Sequence, residues 1–353
     1  MTYPAWEEIR SSWRFKGRDI PMLLPDMPSF MSLPVAQEKA DLKGVDAVII
    51  GAPYVANAGG MYGGVPAKEW LLAPKRVRQQ SARYPSGYVQ DLDIDVFEHL
   101  KVIDYGDAKI PRDSILNPTA DNILRAQAAV EDKVNDALDA GAIPIVIGQN
   151  SPCGSYAIAK PIAERTKGNV GMISLDTHWD SVPLDRLTQD PRIAGSSSWK
   201  AKTYEFHKNF KVENLVEIGE RGMLEKRSIV DGYRKRGIHF YPMWRIRTGL
   251  GIEGLCKELR HAYKGTKAVY VHYDMDVLGG AGPAPGDILG ELAEPIGMTD
   301  YEVIRIALET GRRGFTGASF ICIPPGSAVV YRTIVYVIMF MLAGLAMKKK
   351  GKS

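Results

Sequence analysis

Cysteine is almost missing from this chain: Cys153, Cys256 and Cys322 in 353 residues are too few and too far apart for a disulfide framework or a zinc knuckle. That usage fits a reducing compartment. Histidine is scarce as well, six in all, so an imidazole among acids stands out. The formal charge of +4 is too small for this length to point to nucleic acid, and Lys348, Lys349, Lys350 and Lys352 supply much of it. A bilayer-length apolar run is also lacking. The most hydrophobic stretch, Ile334 to Met347, follows Arg332 and reads as a buried C-terminal helix. The first residues, Met1 to Glu8, show no basic-then-apolar targeting pattern. With 45% apolar and 24% charged residues, the expectation is a cytoplasmic globular protein that engages neither nucleic acid nor a membrane.

What is present is alternation. Residues 1–44, rich in Pro, Met and charge, read as an irregular N-terminal arm that reaches towards a neighbouring subunit. From residue 45 short apolar runs alternate with helical patterns. Strands are expected at Ala47–Gly51, Lys101–Tyr105, Ile143–Ile147, Val170–Leu175, Leu215–Gly219, Gly237–Tyr241, Ala268–Tyr273 and Gly317–Ile323. Helices are expected from Ala73, over Asn122–Ala140, Ala157–Thr166, Gly254–Tyr263 and Asp300–Gly311, and over Val330–Met347. Such alternation predicts an α/β protein: a single domain over 45–347, three-layer α-β-α around a mostly parallel sheet, with a basic tail at 348–353. In such sheets ligands bind beyond the C-terminal strand ends.

Two acidic clusters lie at such ends. Asp176-Thr177-His178-Trp179-Asp180 follows the run Val170–Leu175, and Asp274-Met275-Asp276 follows Ala268–Tyr273. Carboxylates and an imidazole at alternate positions, where a strand gives way to a loop, can converge on one point. Oxygen and imidazole donors of this kind suit a divalent ion such as Mn²⁺, Ni²⁺ or Zn²⁺. His207, His239, His261 and His272 show no metal spacing and read as ordinary histidines. The glycine-rich stretch Gly59 to Gly64 lacks the Gly-Lys-Ser/Thr ending of a phosphate loop.

These motifs resemble the ureohydrolase family, the arginases, agmatinases and relatives that hydrolyse guanidino groups at a two-metal centre. The Asp-x-His-x-Asp motif matches Asp176, His178 and Asp180, and the Asp-x-Asp motif with its following Pro-Gly matches Asp274, Asp276, Pro285 and Gly286. Ile49-Ile50-Gly51-Ala52-Pro53, Asp104-Tyr105-Gly106-Asp107, Glu217 to Gly222 and Gly297-Met298-Thr299 follow in the family's order. The resemblance implies an arginase-like fold. It also implies metal ligands at Asp176, His178, Asp180, Asp274 and Asp276.

Three positions depart from the family. Ser151 stands where a metal-binding His is expected, Gly195 falls in the segment that carries a functional His loop, and Cys322 replaces the Glu that grips the substrate guanidinium. Of the two implied ligand sets, Asp176, His178, Asp274 and Asp276 are complete. The other, drawing on residue 151 with Asp176, Asp180 and Asp274, is not. At most one ion is therefore expected here, and no catalytic residue is assigned. The chain resembles the degenerate companion subunit of a two-subunit metformin hydrolase. That resemblance implies a trimer- or hexamer-type assembly with an active paralogous subunit that holds most of the nickel or manganese and hydrolyses a small guanidino or biguanide substrate. A stand-alone mononuclear amidinohydrolase of the agmatinase kind and a metal-free binding or scaffold protein are the alternatives.

Overall fold

Every other residue of the apolar runs turns to the same side, and this period fixes the architecture. In the computed structural model, which describes residues 5–62, 65–279 and 294–351, the runs become eight strands of one sheet. In chain order these are β1 (Ala47–Gly51), β2 (Val102–Asp107), β3 (Ile143–Ile147), β4 (Asn169–Leu175), β5 (Phe210–Ile218), β6 (His239–Tyr241), β7 (Thr266–Asp274) and β8 (Gly317–Ile321). They are all parallel and lie in the order β6-β5-β4-β7-β8-β3-β1-β2.

The principal helices are α1 (Ala73–Ser81), α2 (Ala120–Asp139), α3 (Ala157–Arg165), α4 (Trp199–Phe206), α5 (Arg227–Lys235), α6 (Gly251–Glu258), α7 (Asp300–Arg313) and α8 (Ala328–Lys349). On one face Ile49, Ile147, Leu175, Val271 and Phe320 pack against Val77 of α1, Leu255 of α6, Ile306 of α7 and Ile334 of α8. On the other Val48, Ile50, Val146, Met172 and Tyr270 pack against Val130 of α2, Ile158 of α3, Trp199 of α4 and Tyr233 of α5. This is the expected three-layer α-β-α arrangement, with a buried core on each side of the sheet.

The side chain of Thr299 caps α7 in a reciprocal capping box with Glu302, as the Thr-Asp-Tyr-Glu sequence allows. Helices α7 and α8 cross where Gly311 and Gly344 meet. A Cβ on Gly311 would lie 2.0 Å from the Met341 carbonyl oxygen, and one on Gly344 2.4 Å from that of Leu308. Helix α8 is long and apolar enough to cross a membrane, yet 67% of its most apolar window is buried inside the fold.

Both ends carry more regular structure than expected, while the sheet still begins just past residue 45, at Ala47. Residues 5–44 include a helix at Trp6–Arg10 and a hairpin of Met22–Leu24 with Met27–Pro28, and they lie on the chain's own body. Arg18 donates to the carbonyls of Ala82 and Tyr84, and Val35 bridges to Asp104 beside β2. At the other end α8 runs through Lys348 and Lys349, so the basic segment is helical two residues further than expected. Lys349 pairs with Asp46 at 2.8 Å, and Lys348 donates to the Arg313 carbonyl.

Candidate metal centre

The sheet register gathers the acidic clusters. Leu175 is level with Tyr273, so Asp176 emerges beside Asp274. Asp274 is level with Ile321, so Cys322 follows on the next strand. Phe320 pairs with Ile147, which brings Gln149 beside Cys322, and the Cys322 amide donates to the Gln149 carbonyl at 3.2 Å. Four adjacent strand ends thus surround one cavity of about 400 Å³, lined among others by His178, Asp180, Gly195, Asp274, Asp276 and Cys322.

Within the cavity floor the donor atoms of Asp176, His178 and Asp276 lie within 4.8 Å of one another, and so do those of Asp274, Asp276 and Cys322. Asp176 accepts the His178 amide at 2.7 Å, Asp274 accepts the Asp276 amide at 3.0 Å, and Asp276 accepts the Thr177 amide at 3.1 Å. Backbone donors therefore fix three carboxylates before any ion arrives. Asp180 and Cys322 hold left-handed backbone angles, φ 43 and φ 51, as do several other residues of the chain.

Electrostatics follow from packing acids together away from water. Burial and the neighbouring carboxylates push Asp274 and Asp180 well above the usual range. Burial works against the charged form of His178, but Asp276, 2.9 Å from its Nδ1, outweighs it, and the pKa is pushed up to about 10. Ion binding must then displace that proton, so affinity should rise as the pH climbs towards this value. Titration with Mn²⁺ in buffers of different ionisation enthalpy should reveal proton release. An affinity flat with pH, without release, would contradict it. Burial, Asp274 and Asp276 push the Cys322 thiol well up, so it stays protonated and is a poor nucleophile.

Among the described residues the donors of Asp176, His178 and Asp276 come close enough to hold one divalent transition ion, and Asp274 joins Asp276 and Asp176 in the adjoining groups; such an ion would supply Lewis acidity beside the cavity. The family's other ion position is less well supplied among the described residues. Ser151 is buried, is absent from the cavity lining, and its hydroxyl has no hydrogen-bond partner. Asp180 reaches the cavity, but its Oδ2 accepts from the indole of Trp199 at 3.0 Å. Gly195 has no room for a side chain: a Cβ there would sit 1.9 Å from Oδ1 of Asp185. Asp185 is held in turn by the amides of Leu187 and Thr188. The space a loop histidine needs is already filled. Elemental analysis of the purified chain should find no more than one tightly held transition metal, and two would refute this reading of the donors.

Several residues of the centre carry no signal in the motifs. Lys200, fully buried on α4, ion-pairs with Asp176 at 3.1 Å and with Glu217 at 2.8 Å. Asp176 Oδ2 makes no hydrogen bond of good geometry; the ammonium meets it at ion-pair distance only. Glu220, just past β5, is buried with neither oxygen hydrogen-bonded, and burial together with Glu217 raises its pKa well above the ordinary value. His272 is fully buried with Nε2 unpartnered, and it lies within the same 4.8 Å of Asp176 and Asp274. Strand alternation was the available signal, since residues 272 and 274 face the same side. The expected Pro285 and Gly286 of the second motif, like Gly63 and Gly64 of the glycine-rich stretch, lie outside the described residues.

Fold and site together define a ureohydrolase-type protein. The Arginase family model matches residues 45–342, and the chain belongs to that family. A formimidoylglutamase from Halobacterium salinarum is 26% identical over 301 residues, covering 79% of this chain and 87% of that protein. A guanidinobutyrase from Pseudomonas aeruginosa is 25% identical over 292 residues, covering 79% and 82%. In structure the chain is similar to a Trypanosoma cruzi formiminoglutamase solved with Mn²⁺, at a TM-score of 0.69, 23% identity and coverage of 92% and 100%. That last likeness bears on the fold.

Proposed function

We propose that this chain is the non-hydrolytic, or at most weakly hydrolytic, companion subunit of a heteromeric cytoplasmic ureohydrolase of the metformin hydrolase kind. Its complex would cleave a guanidino or biguanide C–N bond, with nickel or manganese held mainly by the active paralogous subunit. One observation carries the reading: at three separate positions around one cavity the family's chemical groups are replaced and the space is closed or uncharged. Ser151 brings a buried hydroxyl in place of an imidazole, Gly195 is walled by Asp185, and Cys322 offers a protonated thiol where a guanidinium needs a carboxylate.

The acid-lined cavity still suits a cationic guanidino-type molecule, with Asp180, Asp185, Glu225, Asp274 and Asp276 on its walls. Met61, Leu187 and Leu224 form exposed apolar parts of the same lining. An oligomer can recruit a degenerate copy through the surfaces that build the homo-oligomer, and such a copy stabilises its neighbour by mass action. The complete set Asp176, His178, Asp274 and Asp276 favours one second reading, a stand-alone mononuclear amidinohydrolase. Co-expression with a paralogous ureohydrolase encoded beside it separates the two. The proposal expects a mixed oligomer with amidine hydrolase activity. Separate elution, with the paralogue equally active and stable alone, would sink it.

A further inference from the structure

We propose that α4 supplies a resident cation to this centre: Lys200, helped by Trp199, takes the carboxylates that the incomplete ion position would otherwise use. The argument is positional. That position draws on residue 151, Asp176, Asp180 and Asp274. Ser151 brings no imidazole, the Asp180 Oδ2 accepts from Trp199 at 3.0 Å, and the Asp176 Oδ2 faces the Lys200 ammonium at 3.1 Å. Two consecutive residues of one helix thus engage one oxygen on each of two of its three remaining donors.

The ammonium is matched as well as placed. It donates to Glu217 Oε1 at 2.8 Å and to the His178 carbonyl at 3.2 Å, and it lies 3.1 Å from Asp176 Oδ2 as an ion pair without hydrogen-bond geometry. The side chains of Lys200, Asp176 and Glu217 are all fully enclosed, so the charges are held without water. A lysine buried this deeply keeps its charge where carboxylates meet it. An ion on the same Asp176 oxygen would stand in contact with the ammonium, and like charges at that range repel strongly in a low-dielectric interior. Ammonium and ion exclude each other there. The ends of β4 and β5 are tied by a protein cation, and folding of this half needs no metal. The inference concerns the chain alone and does not depend on any partner subunit.

The test compares melting of the full chain and its Lys200→Met variant after dialysis against a chelator, with and without added Mn²⁺. Added Mn²⁺ should raise the midpoint of Lys200→Met by more than it raises that of the unaltered chain, in which the ammonium holds the second position. Lys200→Met should lose about 5 °C or more, because two carboxylates stay buried without their counter-charge, and Mn²⁺ should restore part of the loss. If the variant does not fold, Lys200→Met with Glu217→Gln should fold, since the pair is then removed together. Equal shifts of the two chains on addition of Mn²⁺ would overturn the proposal. So would a Lys200→Met variant as stable as its parent, a loss that Mn²⁺ leaves untouched, or equal failure of the single and double variants.

Discussion

Replacing Arg78 by methionine should lower the unfolding free energy by about 3–5 kcal/mol, a large part of the roughly 5–15 kcal/mol that holds a domain together. Arg78 is fully buried on α1. Its guanidinium grips Asp104 through two bonds of 2.8 and 3.0 Å and Asp107 through one of 2.6 Å. Asp104 also accepts the amides of Phe30 and Gly106, so one carboxylate joins the N-terminal segment, α1 and β2. Methionine fills the volume but leaves Asp104 buried without its counter-ion. Asp104→Asn in the same chain should recover part of the loss, because the uncompensated charge goes with it. Urea denaturation followed by circular dichroism measures both. An Arg78→Met chain within about 1 kcal/mol of its parent would show that the network is incidental.

The second large effect is on chemistry. Purified alone, the chain should hydrolyse arginine, agmatine, guanidinobutyrate, guanidine or metformin at least roughly four orders of magnitude more slowly than an active family member. A two-metal centre makes its nucleophile from a water activated by both ions, and here Ser151 brings no imidazole to one of the two positions that the family resemblance implies. The loop histidine is missing and cannot be restored by substitution alone, because Asp185 fills the volume at Gly195. Groups that act as a unit are not rescued by those that remain. Robust turnover by the single chain, abolished by Asp274→Ala, would favour the mononuclear enzyme instead.

Much of the architecture is legible in the sequence because its signals are local. Apolar runs ending at glycine or aspartate become the parallel strands, and the predicted α2, α3 and α7 agree with the observed helices to within about two residues. Asp176, His178, Asp274 and Asp276 are legible for the same reason: they sit at strand ends, where a parallel sheet gathers ligands. What escapes is what depends on tertiary burial. Helix α4 places Lys200 and Lys202 inside, against the rule that lysines mark the solvent face, so its pattern hides it. Glu217 and Glu220 lie in a recognisable segment, but only the fold shows that they are buried beside the centre. The missing histidine at Gly195 is visible as a letter, whereas the Asp185 carboxylate that takes its place is not.

The most direct test is asymmetric substitution in the mixed oligomer. Asp274→Ala in this chain removes a carboxylate that lies close to Asp276 and Cys322 and to Asp176 and His272. The account predicts that the complex then keeps most of its amidine hydrolase activity, whereas the matching aspartate-to-alanine change in the paralogous subunit abolishes it. Loss of activity on substitution in this chain, with the partner's change tolerated, would contradict the account and place the chemistry here.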